Sequence, residues 1–554
     1  MASGIKNTTG NRFKITFEAP WGGVASNKNP LDIQDNQFVT CDGLVDIDGV
    51  LAFVQSIAAT KYFRFIPATT GAVPYLIFVL NEITYAVDQL GNLYIQDSAG
   101  GPPATYAFRF RAAASDGPWN DIPNAAQVIN GLIYISVYTR NSIYVFDPVA
   151  NTLTLASNYT GGMILGVLDD YLLQMNTNSA VDGQQPTRVN WSGPGEFSTW
   201  DPSVNRAAGF NTLINIDDSI TGFISLASVG IIIGQKGLVQ ASPTGIGIEP
   251  FAFNTLWTSD VGQGVLYPFT VSQYGQNTYA GTNSGIFKIS TSGYQDVSGA
   301  ARKAILAPLQ VNVSNPNPNS ALTTVFAGSI FLFAFNATYP TPYYVFAGVT
   351  PSILGVSRST LVIWFLNLET GAWFQQTLDV DTVLNAYTGG TDTFSIVRQL
   401  RMVNVTPAAP SGEDNKLPTV LIYAAVDTTT GSGVVTKEFI LSTYVYSDIN
   451  NGLSEYTAGP INVVTRAYEL EPWSEPTIRR IIVKAFGSGT LALSINGVSF
   501  GNIVLDGTTT TKRYISTGGV YTGLSPQLTV TSSNFQGCIV KIIMYGTLAD
   551  GEPD

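Results

Sequence analysis

Paired acids are the first residues of this chain that suggest chemistry. Asp169-Asp170, Asp217-Asp218, and Asp379 with Asp381 each bring two carboxyl groups close in sequence. Cleaving a glycosidic bond needs two carboxylates at a set separation, one of them an acid. Each pair lies beside a predicted turn, where Asp is favoured because its side chain bonds nearby backbone amides. The turn role is therefore the expectation at all three. Asp42, Asp46 and Asp48 have a spacing that suits an oxygen-ligand loop for calcium, but a turn rich in Asp and Gly is the preferred reading. Gly234-Gln235-Lys236-Gly237 has the outline of a phosphate loop. It lacks the full Gly-x-x-x-x-Gly-Lys-Ser/Thr pattern and a following helix, and reads as a hairpin turn.

The chain contains no histidine. That rules out Ser-His-Asp and Cys-His nucleophile systems and any His-ligated metal. The two cysteines, Cys41 and Cys538, are too few for a thiolate cage. They are expected to be free and buried, because a bridge would need the two ends of the chain to meet. Net charge is −12, from 39 acidic and 27 basic residues, and the basic ones nowhere cluster beyond Arg109/Arg111 and Arg479/Arg480. A protein that grips phosphates needs a basic patch. An acidic one can still let a polyanion slide past, since repulsion keeps it from sticking. No catalytic residue, metal or cofactor is assigned from these residues.

The elements that would position any site are strands. With 554 residues, two or three folding units are expected. Hydrophobic residues make up 45% and charged residues only 12%, about half the usual charged share, so much of the surface must be buried in the fold or covered by partners. The longest apolar run, 220–234, is broken by Gly222, Ser225, Ser228 and Gly230, too short for a membrane span. Residues 1–10 are polar and lack the apolar segment of a signal peptide, so synthesis in a cytoplasm is the expectation.

Amphipathic helices are absent from the pattern, and helix content under about 10% is expected against a globular norm of roughly a third. What recurs is an apolar strand, a Gly or Asn turn and a second strand. Such units run over 75–97 and 131–154, and others begin near Tyr171, Gly230, Asn277, Ser329 and Val420. Their β-branched and aromatic residues alternate as a two-faced strand requires. About six to seven four-stranded blades of a β-propeller are predicted, with loop insertions at 311–320 and 405–417. Phe146-Asp147 with Leu153, and Leu366-Asn367 with Trp373, match kelch strands, in which the later residue wedges between neighbouring sheets. Beyond Gly459, evenly spaced strands predict a separate antiparallel β-sandwich. The divisions are 1–60, an extended segment joining the propeller; 61–459, the propeller; and 460–554, the sandwich.

The most distinctive block runs from Arg188 to Trp200, where the strand 189–191 breaks into Ser192-Gly193-Pro194-Gly195. Trp191, Ser192, Gly193, Gly195 and Trp200 are read as a structural turn that Trp200 closes by packing across it. The block resembles the Asp-box of sialidase propellers, itself a structural turn, although the Asp is missing and no arginine group accompanies it. Other motifs follow in order: Gly230-Ile231-Ile232-Ile233, Asp260-Val261-Gly262, and Gly285-Ile286-Phe287-Lys288-Ile289. At the two ends stand Trp21-Gly22-Gly23-Val24-Ala25, Cys41-Asp42-Gly43-Leu44, Val463-Val464-Thr465-Arg466 and Ile478-Arg479-Arg480-Ile481. Together they resemble the nozzle, or hub, proteins of short phage tails, in which Asp often stands at the place of Gly193.

That resemblance implies a non-enzymatic virion protein. It would form a homo-oligomeric ring, typically hexameric, below portal and adaptor proteins, enclose the DNA exit channel without binding DNA specifically, and offer a surface to fibres or spikes. A wall passed by DNA should carry more Asp and Glu than Lys and Arg. The alternatives are a propeller that binds or cleaves a host glycan, and a kelch-like scaffold.

Overall fold

The computed structural model describes residues 5–8, 12–306, 333–350, 360–379, 393–405, 419–445, 459–468 and 476–548, with short interruptions of which the longest are 66–73 and 259–269. Strands dominate the described residues, with short helical pieces at Gly299–Ala301 and Arg302–Leu306. The insertions expected at 311–320 and 405–417 lie outside the described residues except for Val405.

Seven sheets among the described residues are the blades of a propeller. Five follow one another as separate sheets within 63–113, 125–157, 160–212, 220–258 and 272–296. The sixth is the antiparallel run Phe333–Tyr339, Thr341–Thr350, Thr360–Asn367 and Trp373–Asp379. Thr393–Val405, Thr419–Thr430 and Gly433–Val445 make the seventh. In blade 1 the innermost strand is Pro74–Leu80, and in the other blades it is the first; these strands pack beside one another from blade 1 to blade 4, and from blade 5 through blade 7 back to blade 1, so the ring is closed. Between blades 4 and 5 the link is the Gln273 side chain, whose Nε2 donates to Ser225 O at 3.2 Å.

Period-two alternation explains how the blades stack, because successive side chains point to opposite faces of a strand. In blade 4, Ile231 and Ile233 pack toward blade 5 with Ala280, Phe287 and Ile289. Ile232, between them, packs toward blade 3 with Leu173, Met175 and Val189. Leu172 turns the other way, toward Tyr134 and Ile143 of blade 2. Each of these three clusters is thus an interface between two blades.

The two kelch-like matches occupy equivalent hairpins. Phe146 pairs with Leu153 and Leu366 with Trp373. Asp147 Oδ1 accepts the amides of Val149 and Ala150, and Asn367 Oδ1 those of Glu369 and Thr370. Trp373 wedges between blades, with Nε1 donating to Val297 O at 2.7 Å.

The C-terminal antiparallel β-sandwich is built on three long strands, Pro476–Ile495, Val498–Ile515 and Gln527–Leu548. Asn496-Gly497 turns the first into the second with φ of 46° and 83°, as a tight two-residue hairpin needs. Gly487 and Gly537 face each other where the strands bend. A Cβ on Gly537 would lie 2.1 Å from Phe486 O, so only glycine fits there.

The N-terminal region differs from a simple joining segment. Arg12–Glu18 pairs along its whole length with residues 541–547, and Phe38–Asp42 pairs with residues 462–465. Val50–Ala58 belongs to two units at once. Leu51 and Ala52 pair with Ile539 and Cys538, while residues 54–58 pair with 441–445 as the outermost strand of blade 7. The two ends of the chain do meet, yet Cys41 and Cys538 are free and buried. Burial pushes both thiols far up, which leaves them inert.

Candidate functional site

The Trp191–Trp200 block lies between the third and fourth strands of blade 3. Ser192 anchors it: its Oγ accepts from Leu172 N at 3.1 Å and donates to Gly193 O at 2.9 Å. Gly193 N donates to Thr199 O at 2.9 Å, and Gly195 N to Asp170 O at 2.8 Å. Gly195 has φ +68°, the left-handed region in which glycine carries no Cβ penalty. At Gly193 a Cβ would lie 2.3 Å from Asn205 Nδ2. Asn205 donates from that atom to Glu196 Oε2 at 3.0 Å. The space that an Asp at 193 would need is thus occupied by Asn205.

The two tryptophans do not pack across this turn onto each other. Trp191, whose Nε1 donates to Ala207 O at 3.0 Å, meets Phe251 edge-on and Phe253 at a tilt, toward blade 4. Trp200 donates to Phe197 O at 3.0 Å and packs with Tyr134 and Ile143, toward blade 2. One short block therefore wedges both sides of blade 3. Period-two patterning shows that a strand has two faces, but not which neighbour each face meets.

The other candidates separate. Asp169 and Asp170 form the turn between the first two strands of blade 3, with Asp169 at φ 54°. Asp217, Asp218 and Asp381 lie outside the described residues, as does the side chain of Asp379. Asp42 Oδ1 accepts from Thr377 N at 2.7 Å and Asp46 Oδ1 from Gly49 N at 3.0 Å, so each serves a different backbone; Asp48 is outside the described residues. Among the described residues no three His, Cys, Asp or Glu side chains converge as a metal site. Gly234 and Gly237 end and begin paired strands of blade 4, as in a hairpin.

Asp42 marks a joint between the ends of the chain and blade 6. Burial raises its carboxyl above the ordinary value, opposed by hydrogen bonds from Thr377, Gln375 and Gly43. Val24 N donates to Trp373 O at 2.7 Å, and Trp21 Nε1 to Gly49 O at 3.0 Å. Gly23 has φ +68°, and a Cβ there would lie 2.4 Å from Trp373 O. The glycine permits this close backbone approach.

One recurring polar position was not singled out from the sequence. Asn124, Thr160, Thr221 and Thr270 are buried at or near the start of the first strand of blades 2 to 5. Asn124 Oδ1 accepts from Tyr138 N at 2.8 Å, and Thr160 Oγ1 donates to Asn178 O at 3.3 Å. Thr221 Oγ1 donates to Ile233 O at 3.3 Å, and Thr270 Oγ1 accepts from Gly281 N at 3.0 Å. Each ties the opening of its blade to the end of the second strand. The available signal was a lone Asn or Thr opening each apolar strand. The first strands of the seven blades, over their described ranges, contain no Asp or Glu.

No protein-family model matches the chain, and no curated protein matches it either. Solved structures similar to it include YCF48 bound to D1 peptide, at 10% identity and a TM-score of 0.36, covering 74% of this chain and 100% of that one. The exo-beta-1,3-galactanase of Phanerochaete chrysosporium with galactose is 10% identical, with a TM-score of 0.26 over 88% of this chain and 100% of that one. The N-terminal domain of Nup159 is 10% identical, with a TM-score of 0.27 over 80% and 96% of the two chains. No helix among the described residues is long and apolar enough to cross a membrane.

Proposed function

We propose that this chain is a structural, non-enzymatic component of a phage virion, a subunit of the nozzle ring of a short tail. The observation that carries this reading is the union of the two ends of the chain. The motifs that resemble nozzle proteins at the N-terminus, Trp21–Ala25 and Cys41–Leu44, and at the C-terminus, Val463–Arg466 and Ile478–Ile481, stand more than 400 residues apart. They share one hydrophobic core, which anchors them to a closed propeller. A rigid two-part subunit of low charge suits a ring whose surface is largely covered by identical neighbours, by adaptor proteins and by fibres or spikes.

In this reading the DNA conduit is the lumen of the ring and not the axis of a single propeller. Over their described ranges the strands at that axis carry no acids, so the acidic surplus expected of a wall passed by DNA belongs to the face turned toward the lumen. Rigid blades hold the bore open, and weak repulsion keeps phosphates sliding.

Sedimentation and electron microscopy of the chain, alone and with a portal and adaptor complex, provide the test. Rings of about six copies with a neutral or acidic bore are the expected result, formed at least on the template. Failure to form a ring even on the template, a basic-walled pore, or glycan hydrolysis by the isolated chain would overturn the proposal.

A further inference from the structure

We infer that the interface between blades 2 and 3 holds a specific buried water molecule, bound by the side-chain oxygens of Gln174 and Asn190. These two residues are direct cross-strand partners, and both are buried, at 0% and 5% exposure. Their carboxamides converge on Thr160. Gln174 Nε2 donates to Thr160 O at 3.1 Å, and a backbone carbonyl can only accept, so that amide cannot be flipped. Asn190 Nδ2 donates to Thr160 Oγ1 at 2.9 Å. The Thr160 hydroxyl gives its own proton to Asn178 O at 3.3 Å, which makes it the acceptor toward Asn190. The carbonyl fixes Gln174 outright, and Asn190 is set by the Thr160 proton pointing to Asn178 O.

The consequence is two buried acceptor oxygens on facing residues, Gln174 Oε1 and Asn190 Oδ1, neither with a hydrogen-bond partner. Blade 2 closes over this corner: Ser136 Oγ donates to Gly162 O at 2.7 Å, and Asn178 Nδ2 donates to Tyr138 O at 3.1 Å. A buried acceptor without a donor is costly, and two of them on directly paired residues call for a guest that donates to both. Directly opposed residues have Cβ atoms about 4.5–5.5 Å apart, so a single molecule can reach both oxygens. The guest must donate twice from one small atom, and water does that.

A metal cation fits less well. Calcium takes about six to eight oxygens and draws on carboxylates, whereas this corner offers two free neutral oxygens. The water would tie the second and third strands of blade 3 at the level of Thr160, which opens the innermost strand of that blade.

The test is a crystal structure of the full chain at a resolution that shows ordered solvent. A peak about 2.8 Å from both Oε1 and Oδ1 is expected, with its loss in the Gln174→Leu/Asn190→Leu variant. The single variants Gln174→Met and Asn190→Leu keep the test open should the double variant fail to fold, since each removes one anchor and should weaken or displace the peak. Thermal midpoints of the native chain should be equal in potassium, sodium and choline chloride at one ionic strength. Absence of the peak in the native chain, or carboxamides turned to other partners, would overturn the inference. So would a stabilisation specific to one alkali cation, which would give the site to an ion.

Discussion

Blades 2 to 4 and the sheet that joins the ends of the chain are built from the same kind of strand but by opposite routes. Within a blade each strand pairs with the next in sequence, as Leu132–Val137 does with Ser142–Asp147. In the joining sheet the partners come from opposite ends: Glu18 pairs with Lys541, 523 residues away, and their side chains form an ion pair. Closing so long a loop adds little more free-energy cost than closing a moderate one, because the cost grows with the logarithm of length. It does add time, since non-local contacts reward the chain only after the loop has closed. The difference separates what folds piecewise from what must wait for the whole chain.

The sharpest way to break this comparison is to remove residues 1–18. Phe13, Ile15 and Phe17 are each at most 1% exposed. At about 1.5–3 kcal/mol per fully buried side chain, their loss should cost about 4.5–9 kcal/mol. Calorimetry should show the joining sheet losing its cooperative transition while circular dichroism still reports the blades. A truncated chain that melts like the native one would mean the two regions are not distinct.

Within the blades, Trp200→Ala and Trp191→Ala should each cost about 3–5 kcal/mol in chemical denaturation. The two lie in different hydrophobic clusters, so the double variant should be additive within about 0.5 kcal/mol. Marked coupling would restore the single stapled turn.

At the seam between the regions, Gly23→Ala should destabilise by more than the roughly 1–2 kcal/mol of a left-handed residue alone, because its Cβ would meet the Trp373 backbone. Gly131→Ala, also at positive φ but with nothing within 4 Å, should cost only that amount. Equal costs would show that the seam yields easily.

The smallest effect concerns pH. Asp42 holds its proton more tightly in the folded chain than in the unfolded one, because burial raises its carboxyl. Its contribution is full below the unfolded carboxylate range, near about pH 4, and is lost as pH rises through the raised value. Against Asp42→Asn, the stability of the native chain should therefore decline as pH rises from about 4 through that raised value. A flat difference in thermal midpoint would leave no role for that burial.

How much of this was legible follows from the same contrast. Each strand-turn-strand unit read from the sequence, from 75–97 to that near Val420, falls in a different one of the seven blades, because its turn and both strands are contiguous. The pairing of Val50–Ala58 with blade 7 left no local mark. Alternation predicts two faces for a strand, yet nothing near Trp191 or Trp200 says that they face different blades. The meeting of Thr160 with Gln174 and Asn190 was invisible for a related reason: it exists only because the blade folds over at that corner. The residues that first suggested chemistry were found, where the structure describes their side chains, in turns and backbone caps.

Val50–Ala58 also constrains how a ribosome must make this protein. The strand emerges before any blade, while the edge it covers, residues 441–445, is translated nearly 400 residues later. Throughout that interval the nascent chain carries an unsatisfied strand at its leading end and then a row of blades with one open edge. Exposed edges of this kind invite pairing with other chains, most of all where many copies are made at once. Polysomes crowded with this message are where swapped dimers would arise, and a holding chaperone acting on the leading segment would raise the yield more than any help given after release.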